Sequence, residues 1–280
     1  MQTTDRDLKK VRDLVYAHTG ISLGDKKDMM IKNRLNKLFQ TFNDISTFSQ
    51  LENRLKDETF LEVFINTFTT NKTHFFREHH HFEDMRTRAI ANALKASSAV
   101  KIYCSASSTG EEPYSIALTC EQSKKDLRMP HANFHIDATD IDTNVLRFAQ
   151  EGVYKFSTKG HPFPNWLELP KYFKRRKVQG ADDEYLIKVK EQIKRTVKFS
   201  QMNLFNPRYP FGFEEFDIIF CRNVLIYFDI PDQEKILAKL FSHLKIGGTL
   251  YLGHSESALN LTPCVHSLGQ NIFVKHKGLS

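Results

Sequence analysis

Residues 69–82, TTNKTHFFREHHHF, crowd four histidines (His74, His79, His80 and His81) around Arg77 and Glu78. Three chemistries compete for such a stretch. They are metal ligation, a helix with a decorated surface, and a ligand held through Asn71, Thr73 and Arg77. On a helix, His74 and His81 share a face, whereas His79 and His80 point elsewhere. Glu78 and His81 are spaced i,i+3, yet no second such pair accompanies them, so no bound metal is expected.

Four other segments place polar side chains directly after apolar runs. CSASSTGEEPY (104–114) combines small residues and Gly110 with two acids, Glu111 and Glu112. A single glycine is neither G-x-G-x-x-G nor a phosphate loop. Acids at a helix start repel phosphate and favour an amine or a sulfonium; the bland alternative is that they complement the helix dipole. ATDID (138–142) puts Asp140 where dinucleotide folds take ribose hydroxyls, while Asp142 suits a helix cap. FCRNVLIYF (220–228) supplies Arg222, Asn223 and Tyr227, and QMNLF (201–205) supplies Asn203 and Leu204. An amide beside an apolar residue can read the edge and face of an adenine. A ligand with a cationic centre, a ribose and a base, but no phosphate, is S-adenosylmethionine.

The elements that position these groups are legible from periodicity. Residues 5–95 read as helices. Leu8, Val11, Leu14, Val15 and His18 fall at helical spacing before a stop at Gly20. A helix over about 25–40 places Lys26, Lys27, Arg34 and Lys37 on one stripe beside an apolar one. After residue 98, strand-like runs such as VKIYCSAS, NFHIDATDID and FDIIFCRN alternate with helices, which predicts a mostly parallel sheet covered on both faces. Ligands of such sheets bind outside the strands' carboxyl ends. EYLIKVK and TVKFSQMNL interrupt the alternation and suggest a small β-rich insertion over about 151–198. VHSLGQNIFVKH could close the chain with a hairpin.

The 280 residues carry a net charge of +7. The excess is local: residues 1–40 hold nine Lys/Arg against five Asp/Glu, and 151–200 hold twelve against six. Such surfaces attract nucleic acid, membrane or an acidic protein, or simply confer solubility. Cys104, Cys120, Cys221 and Cys264 are scattered without a C-x-x-C pair, which suits a reducing cytoplasm. The polar start lacks a signal-peptide core, and no apolar run approaches the ~18 residues of a membrane span.

Taken together, TTNKTHFFRE, SASSTGEEPYSIA, ATDIDTNVL, FDIIFCRNVLIYFD and GGTLYLGHSES resemble the chemotaxis receptor glutamate O-methyltransferases of the CheR type. The resemblance runs in order from about Leu8 to Val274. It implies an N-terminal helical domain (1–80) that contacts the receptor, and a class I (Rossmann-like) S-adenosylmethionine methyltransferase domain (81–280) with a small inserted antiparallel β subdomain. Motif by motif, it implies that Asn71, Thr73 and Arg77 line the cofactor pocket and that Glu112 takes the methionine amine. Asp140 would bind the ribose. Asn203 with Leu204, and Cys221 with Arg222 and Asn223, would surround the adenosine. Arg77 and Tyr227 would lie nearest the transferred methyl.

The implied reaction methylates glutamate carboxylates on chemoreceptors and leaves S-adenosylhomocysteine. The implied partners are the receptors' cytoplasmic methylation helices, met by Lys26, Lys27, Arg34 and Lys37. The protein is expected to be a cytoplasmic monomer recruited to membrane receptor arrays. Family members that grip a receptor tail peptide have a short glycine-rich loop in the subdomain. KRRKVQGADDEY (174–185) is longer with one glycine, which argues against that mode. A nucleic-acid methyltransferase is the alternative, but CRNVLIYF replaces the expected Asp/Asn-Pro-Pro-Tyr loop and no base-stacking platform is evident. A sensor without activity, or a nicotinamide dehydrogenase, fits less well.

Overall fold

A computed structural model describes residues 4–45, 47–157, 163–180 and 183–279. The first apolar stripes become four helices: α1 (Asp5–Thr19), α2 (Asp28–Thr41), α3 (Phe48–Arg54) and α4 (Glu58–Phe68). Thr4 and Thr47 close capping boxes on α1 and α3, and Asp57 caps α4 through the Phe60 N–H. Each cap satisfies amides that a helix start leaves without partners. Gly20, in the left-handed region, ends α1 as its position predicts. Val11, Val15, Ile31, Leu51 and Phe64 meet in one fully buried core.

Two expectations need correction here. Lys26 and Lys27 sit on a separate 3-10 turn (Asp25–Lys27), so they do not continue the α2 stripe. The segment 69–79 is not helical, so His74 and His81 share no helix face. Helix resumes in α5 (His80–Asp84) and α6 (Ile90–Ala93), joined by a π-helical turn over Met85–Ala89.

The rest alternates as expected. In chain order come β1 (Ala99–Ser105), α7 (Glu111–Asp126), β2 (Asn133–Asp140) and α8 (Thr143–Glu151). Next are β3 (Val153–Ser157), α9 (Leu169–Tyr172), β4 (Phe173–Lys177), β5 (Glu184–Val189) and α10 (Glu191–Lys194). Then come β6 (Val197–Gln201), β7 (Phe216–Cys221), α11 (Ile230–His243), β8 (Leu244–Leu252), β9 (Val265–Ser267) and β10 (Ile272–Lys275). The seven-stranded sheet has the order β6-β2-β1-β7-β8-β10-β9, parallel from β6 to β8. β10 runs antiparallel to β8 and β9, which is the closing hairpin. All six residues of β7 are buried, as a strand covered on both faces requires.

The insertion is an antiparallel sheet of order β3-β5-β4. It is smaller than the sequence suggested. Val197–Gln201 pairs in parallel with β2 and forms the edge of the large sheet instead. In the 174–185 stretch, residues 181 and 182 lie outside the described residues. Among the described residues no helix is long and apolar enough to cross a membrane.

The helical layer lies over the carboxyl edge of the parallel strands. Asn203 Nδ2 donates to His18 O at 2.9 Å, and Tyr16 OH donates to Asp232 at 2.7 Å. The Ser22 N–H donates to Tyr227 O at 2.8 Å, and Asn66 Nδ2 to Thr143 Oγ1 at 2.9 Å. These contacts turn an open sheet edge into a roofed one.

Candidate active site

Because β6, β2, β1 and β7 run in parallel, their four carboxyl ends open on one side of the sheet. There they line a single cavity of about 600 Å³. That size suits a nucleoside-sized ligand. The β1 loop contributes Ala106, Ser108 and Glu112; β2 contributes Asp140 and Ile141; β6 is followed by Met202, Asn203 and Leu204; β7 is followed by Arg222, Asn223 and Val224. The opposite wall comes from the helical layer and the 69–77 segment, including Lys26, Lys27, Arg34, Asn71, Thr73 and Arg77. Tyr227 and Ile226 also line the cavity. The sequence singled out most of these residues but not Ala106, Ser108, Ile141, Met202, Val224 or Ile226. An apolar residue directly after the strand-end acid was the available signal for Ile141.

The sheet side is built around carboxylates. Asp140 is buried and accepts the Ser108 N–H at 2.8 Å and the Asp142 N–H at 2.9 Å. Burial outweighs these bonds and lifts its carboxyl to about 6. Glu112 pairs with Arg222 at 2.6 Å, and burial still holds its carboxyl above the ordinary range. Arg222 is fully buried and also meets Glu78 at 3.1 Å and donates to Arg77 O at 2.5 Å. Burial opposes the charge of Glu78, but Arg222 and hydrogen bonds from His254, Asn223 and Arg222 outweigh it and bring the carboxyl to about 2. Two carboxylates, Glu78 and Glu112, therefore share one guanidinium, while Asp140 has only backbone partners. A cationic ligand supplies the compensation that Glu112 lacks, and Asp140 retains lone pairs for hydroxyl donors. This donor set fits an ammonium, a sulfonium and a ribose, and it would repel a pyrophosphate.

The backbone is bent to make these approaches. Phe76, Glu78, Ala106, Ser108 and Asn223 all have positive φ without being glycine, and such strain gathers at functional sites. Gly110 serves packing between elements. A Cβ there would meet Ala149 at 2.7 Å and Tyr154 Oη at 2.8 Å. Its missing side chain lets α7 pack against α8 and β3, while Ala106 and Ser108 bend the loop toward the cavity.

One expected site residue, Cys221, is placed otherwise, and others line the cavity with side chains already engaged. Cys221 is fully buried in the core behind β7 and does not line the cavity; strand alternation sends its side chain away from the Arg222 side. The Asn203 side chain donates to His18 O and accepts the Phe205 N–H, so it fixes the turn and the roof at the cavity wall. Asn71 spends its amide on Asp142 at 2.8 Å, beside Thr69. Asp142 also caps α8, as expected. Arg34 was expected on the outer basic face, yet it lines the cavity, whereas Lys37 is exposed outside it. Glu78, Arg222 and Glu112 form one cluster across sequence separations that no local pattern reveals.

Glu78, His80 and His81 bring ligand atoms within 4.8 Å of one another. A divalent cation there would sit against the Arg222 guanidinium, which already holds Glu78. His81 Nε2 lies 2.7 Å from Gln270 O, and burial, with Arg222 next, pushes the ring down to about 4. It is therefore neutral at physiological pH. These histidines serve packing; no metal role is assigned to them.

Arg222→Met should leave two partly buried carboxylates uncompensated. The expected loss of unfolding free energy is about 3–5 kcal/mol, measured by urea denaturation. A loss below about 1 kcal/mol would contradict a cluster built around this guanidinium.

Residues 71–273 match the family described as CheR methyltransferase, SAM binding domain, and residues 6–69 match CheR methyltransferase, all-alpha domain. The chain is 35% identical over 276 residues to a chemotaxis protein methyltransferase of Salmonella typhimurium, covering 98% of this chain and 91% of that one. It is 34% identical over 273 residues to chemotaxis protein methyltransferase 2 of Pseudomonas aeruginosa, covering 96% and 93%. A chemotaxis protein methyltransferase of Escherichia coli is 34% identical over 277 residues, with 98% and 92% covered. The cavity at the four strand ends lies within the segment that matches the SAM binding domain, and this chain belongs to the CheR methyltransferase family.

Proposed function

We propose that the protein methylates glutamate side chains on the cytoplasmic methylation helices of chemoreceptors, giving glutamate methyl esters and S-adenosylhomocysteine. The split polarity of the cavity carries this reading. Its sheet wall presents Glu112 and Asp140, with Glu78 behind Arg222. Its opposite wall presents Lys26, Lys27, Arg34, Lys72 and Arg77. One side suits a cationic methyl donor and the other an anionic acceptor.

When bound, S-adenosylmethionine supplies an electrophilic methyl group on a sulfonium. Asp140 holds the ribose and Glu112 the amine, which fixes the donor's direction. A glutamate with a pKa of ~4.3 is already ionised at neutral pH, so the acceptor needs no general base. Among the described residues, no histidine or cysteine lines the cavity. Arg77 orients the acceptor through its planar fork, and Tyr227 donates a hydrogen bond from its hydroxyl and shapes the methyl channel. Arg34 supports an anionic visitor: its Nη1 is buried without a hydrogen-bond partner, while Nη2 reaches Thr70 at 3.3 Å.

The helical layer meets the receptor and the larger α/β part performs the transfer, in the cytoplasm at receptor arrays. The protein acts as a monomer, and no receptor-tail binding is assigned to the β subdomain. Lys26 and Lys37 are exposed and free to meet an acidic helix bundle. The charge reversal Lys37→Glu, outside the cavity, should raise the KM for receptor about threefold at low salt and leave cofactor affinity unchanged. The difference should vanish near 1 M salt, where screening reaches ~3 Å. Equal KM values at low salt would remove the basic surface from receptor recognition.

A further inference from the structure

The GHSES segment, 253–257, contributes no residue to the cavity. Glu256 is nevertheless buried, and its carboxylate is wholly committed to backbone amides. One oxygen accepts the N–H groups of Gly253 at 2.6 Å and Asn223 at 2.9 Å; the other accepts those of Val224 and Leu225, each at 2.8 Å. Three consecutive amides of the segment after β7 therefore converge on one side chain. That segment holds Asn223 at a φ of 58° and leads into the 3-10 turn Leu225–Tyr227. It places Asn223, Val224, Ile226 and Tyr227 along the cavity.

The anchor is itself held from behind. Asn271, also with positive φ, donates through Nδ2 to Gly253 O at 2.6 Å and Glu256 O at 2.8 Å. Its carbonyl receives the Leu252 N–H at 3.0 Å. Gly253 lets the two loops touch. A Cβ there would lie 2.8 Å from the Asn223 nitrogen and 2.8 Å from Glu256 Oε2. A charge of the right sign is thus spent on amides that a turn with positive φ cannot pair internally.

We propose that Glu256 is a positioning residue for methyl transfer: it clamps the 223–225 turn and so fixes Tyr227 at the methyl channel. The role rests on the placement of Tyr227 given above. Glu256 touches neither cofactor nor acceptor and acts only through that turn. Asn271 and Gly253 make the closing hairpin part of the same device.

Amide hydrogen exchange and kinetics on the full chain test the clamp. Glu256→Gln turns one acceptor oxygen into a donor facing N–H groups. The amides of residues 223–225 should then exchange at least about tenfold faster, while those of α1 to α4 keep their wild-type rates. Turnover should fall about tenfold with the receptor KM within threefold. Combined with Tyr227→Phe, the Glu256→Gln loss of turnover should shrink to less than about twofold, because both act on one group. Gly253→Ala, which presses on Asn223 from the other side, should reproduce the pattern and decides the matter if Glu256→Gln does not fold. Unchanged exchange at 223–225, unchanged turnover, or equal losses in both backgrounds would overturn the clamp. Full turnover in Tyr227→Phe alone would overturn the role of Tyr227 and the route through which Glu256 acts, while receptor methylation itself would stand.

Discussion

Arg77→Ala is expected to cut turnover on receptor glutamates by on the order of 100-fold while changing the cofactor dissociation constant less than about threefold. The local chain explains why this side chain is so well placed. Phe76 and Glu78, on either side, both have positive φ, so the backbone kinks around Arg77. Phe75 packs edge-on against Tyr154 and Phe173, and Phe76 against Phe82 and Trp166. The carbonyl of Arg77 is gripped by Arg222, and its own Nη1 donates to Lys72 O at 3.1 Å. Part of the fork stays available to a carboxylate. Arg77→Lys should recover less than a tenth of the lost activity, because an ammonium lacks the planar pair of donors. Initial rates at saturating cofactor, set beside calorimetric binding, separate the two effects. Wild-type turnover in Arg77→Ala would remove the residue from the reaction.

Asp140→Ala should act on the other reactant and raise the cofactor dissociation constant roughly 100-fold. Hydrogen bonds to a charged acceptor are worth about 1.5–3 kcal/mol each, and about 2.7 kcal/mol corresponds to a hundredfold. The effect also has a pH signature. Burial raises Asp140 to about 6. In the proposed ribose role, the ionised carboxylate is the form that would accept the hydroxyls. Affinity should therefore be full above pH 7 and fall as pH drops through 6, by up to tenfold per unit. Asp140→Asn should flatten that slope. Calorimetry from pH 5 to 8 showing no slope in the wild type, or unaltered affinity in Asp140→Ala, would contradict the ribose role.

Much of the site was legible because it sits at strand ends. Buried parallel strands write themselves as apolar runs, and the residue after each run is fixed in space by the sheet. Asp140, Glu112, Arg222 and Asn223 could therefore be placed from local sequence alone. What the sequence hid depends on long-range pairing. Glu78 and Arg222 lie 3.1 Å apart, and Glu256 reaches the 223–225 amides, with no trace in any local period. Cys221 differs from its neighbour Arg222 only in which side of β7 it faces, and that side is set by sheet packing. Arg34 shows the limit of a helical wheel. It shares a face with outer lysines on paper, but the docking of α2 over the sheet turns it toward the cavity. Val197–Gln201 reads the same as an insertion strand or a sheet edge until its partner, β2, is known.

The central claim is that acids at the sheet's carboxyl edge hold a cationic methyl donor for an ionised glutamate acceptor. Its most direct test is incubation with methyl-labelled S-adenosylmethionine and receptor-containing membranes, followed by peptide mapping of the label. The expected product is a base-labile methyl ester on receptor glutamates, lost with Arg77→Ala and displaced by S-adenosylhomocysteine. Base-stable label, label in nucleic acid, or no transfer from a folded, cofactor-binding protein would contradict it.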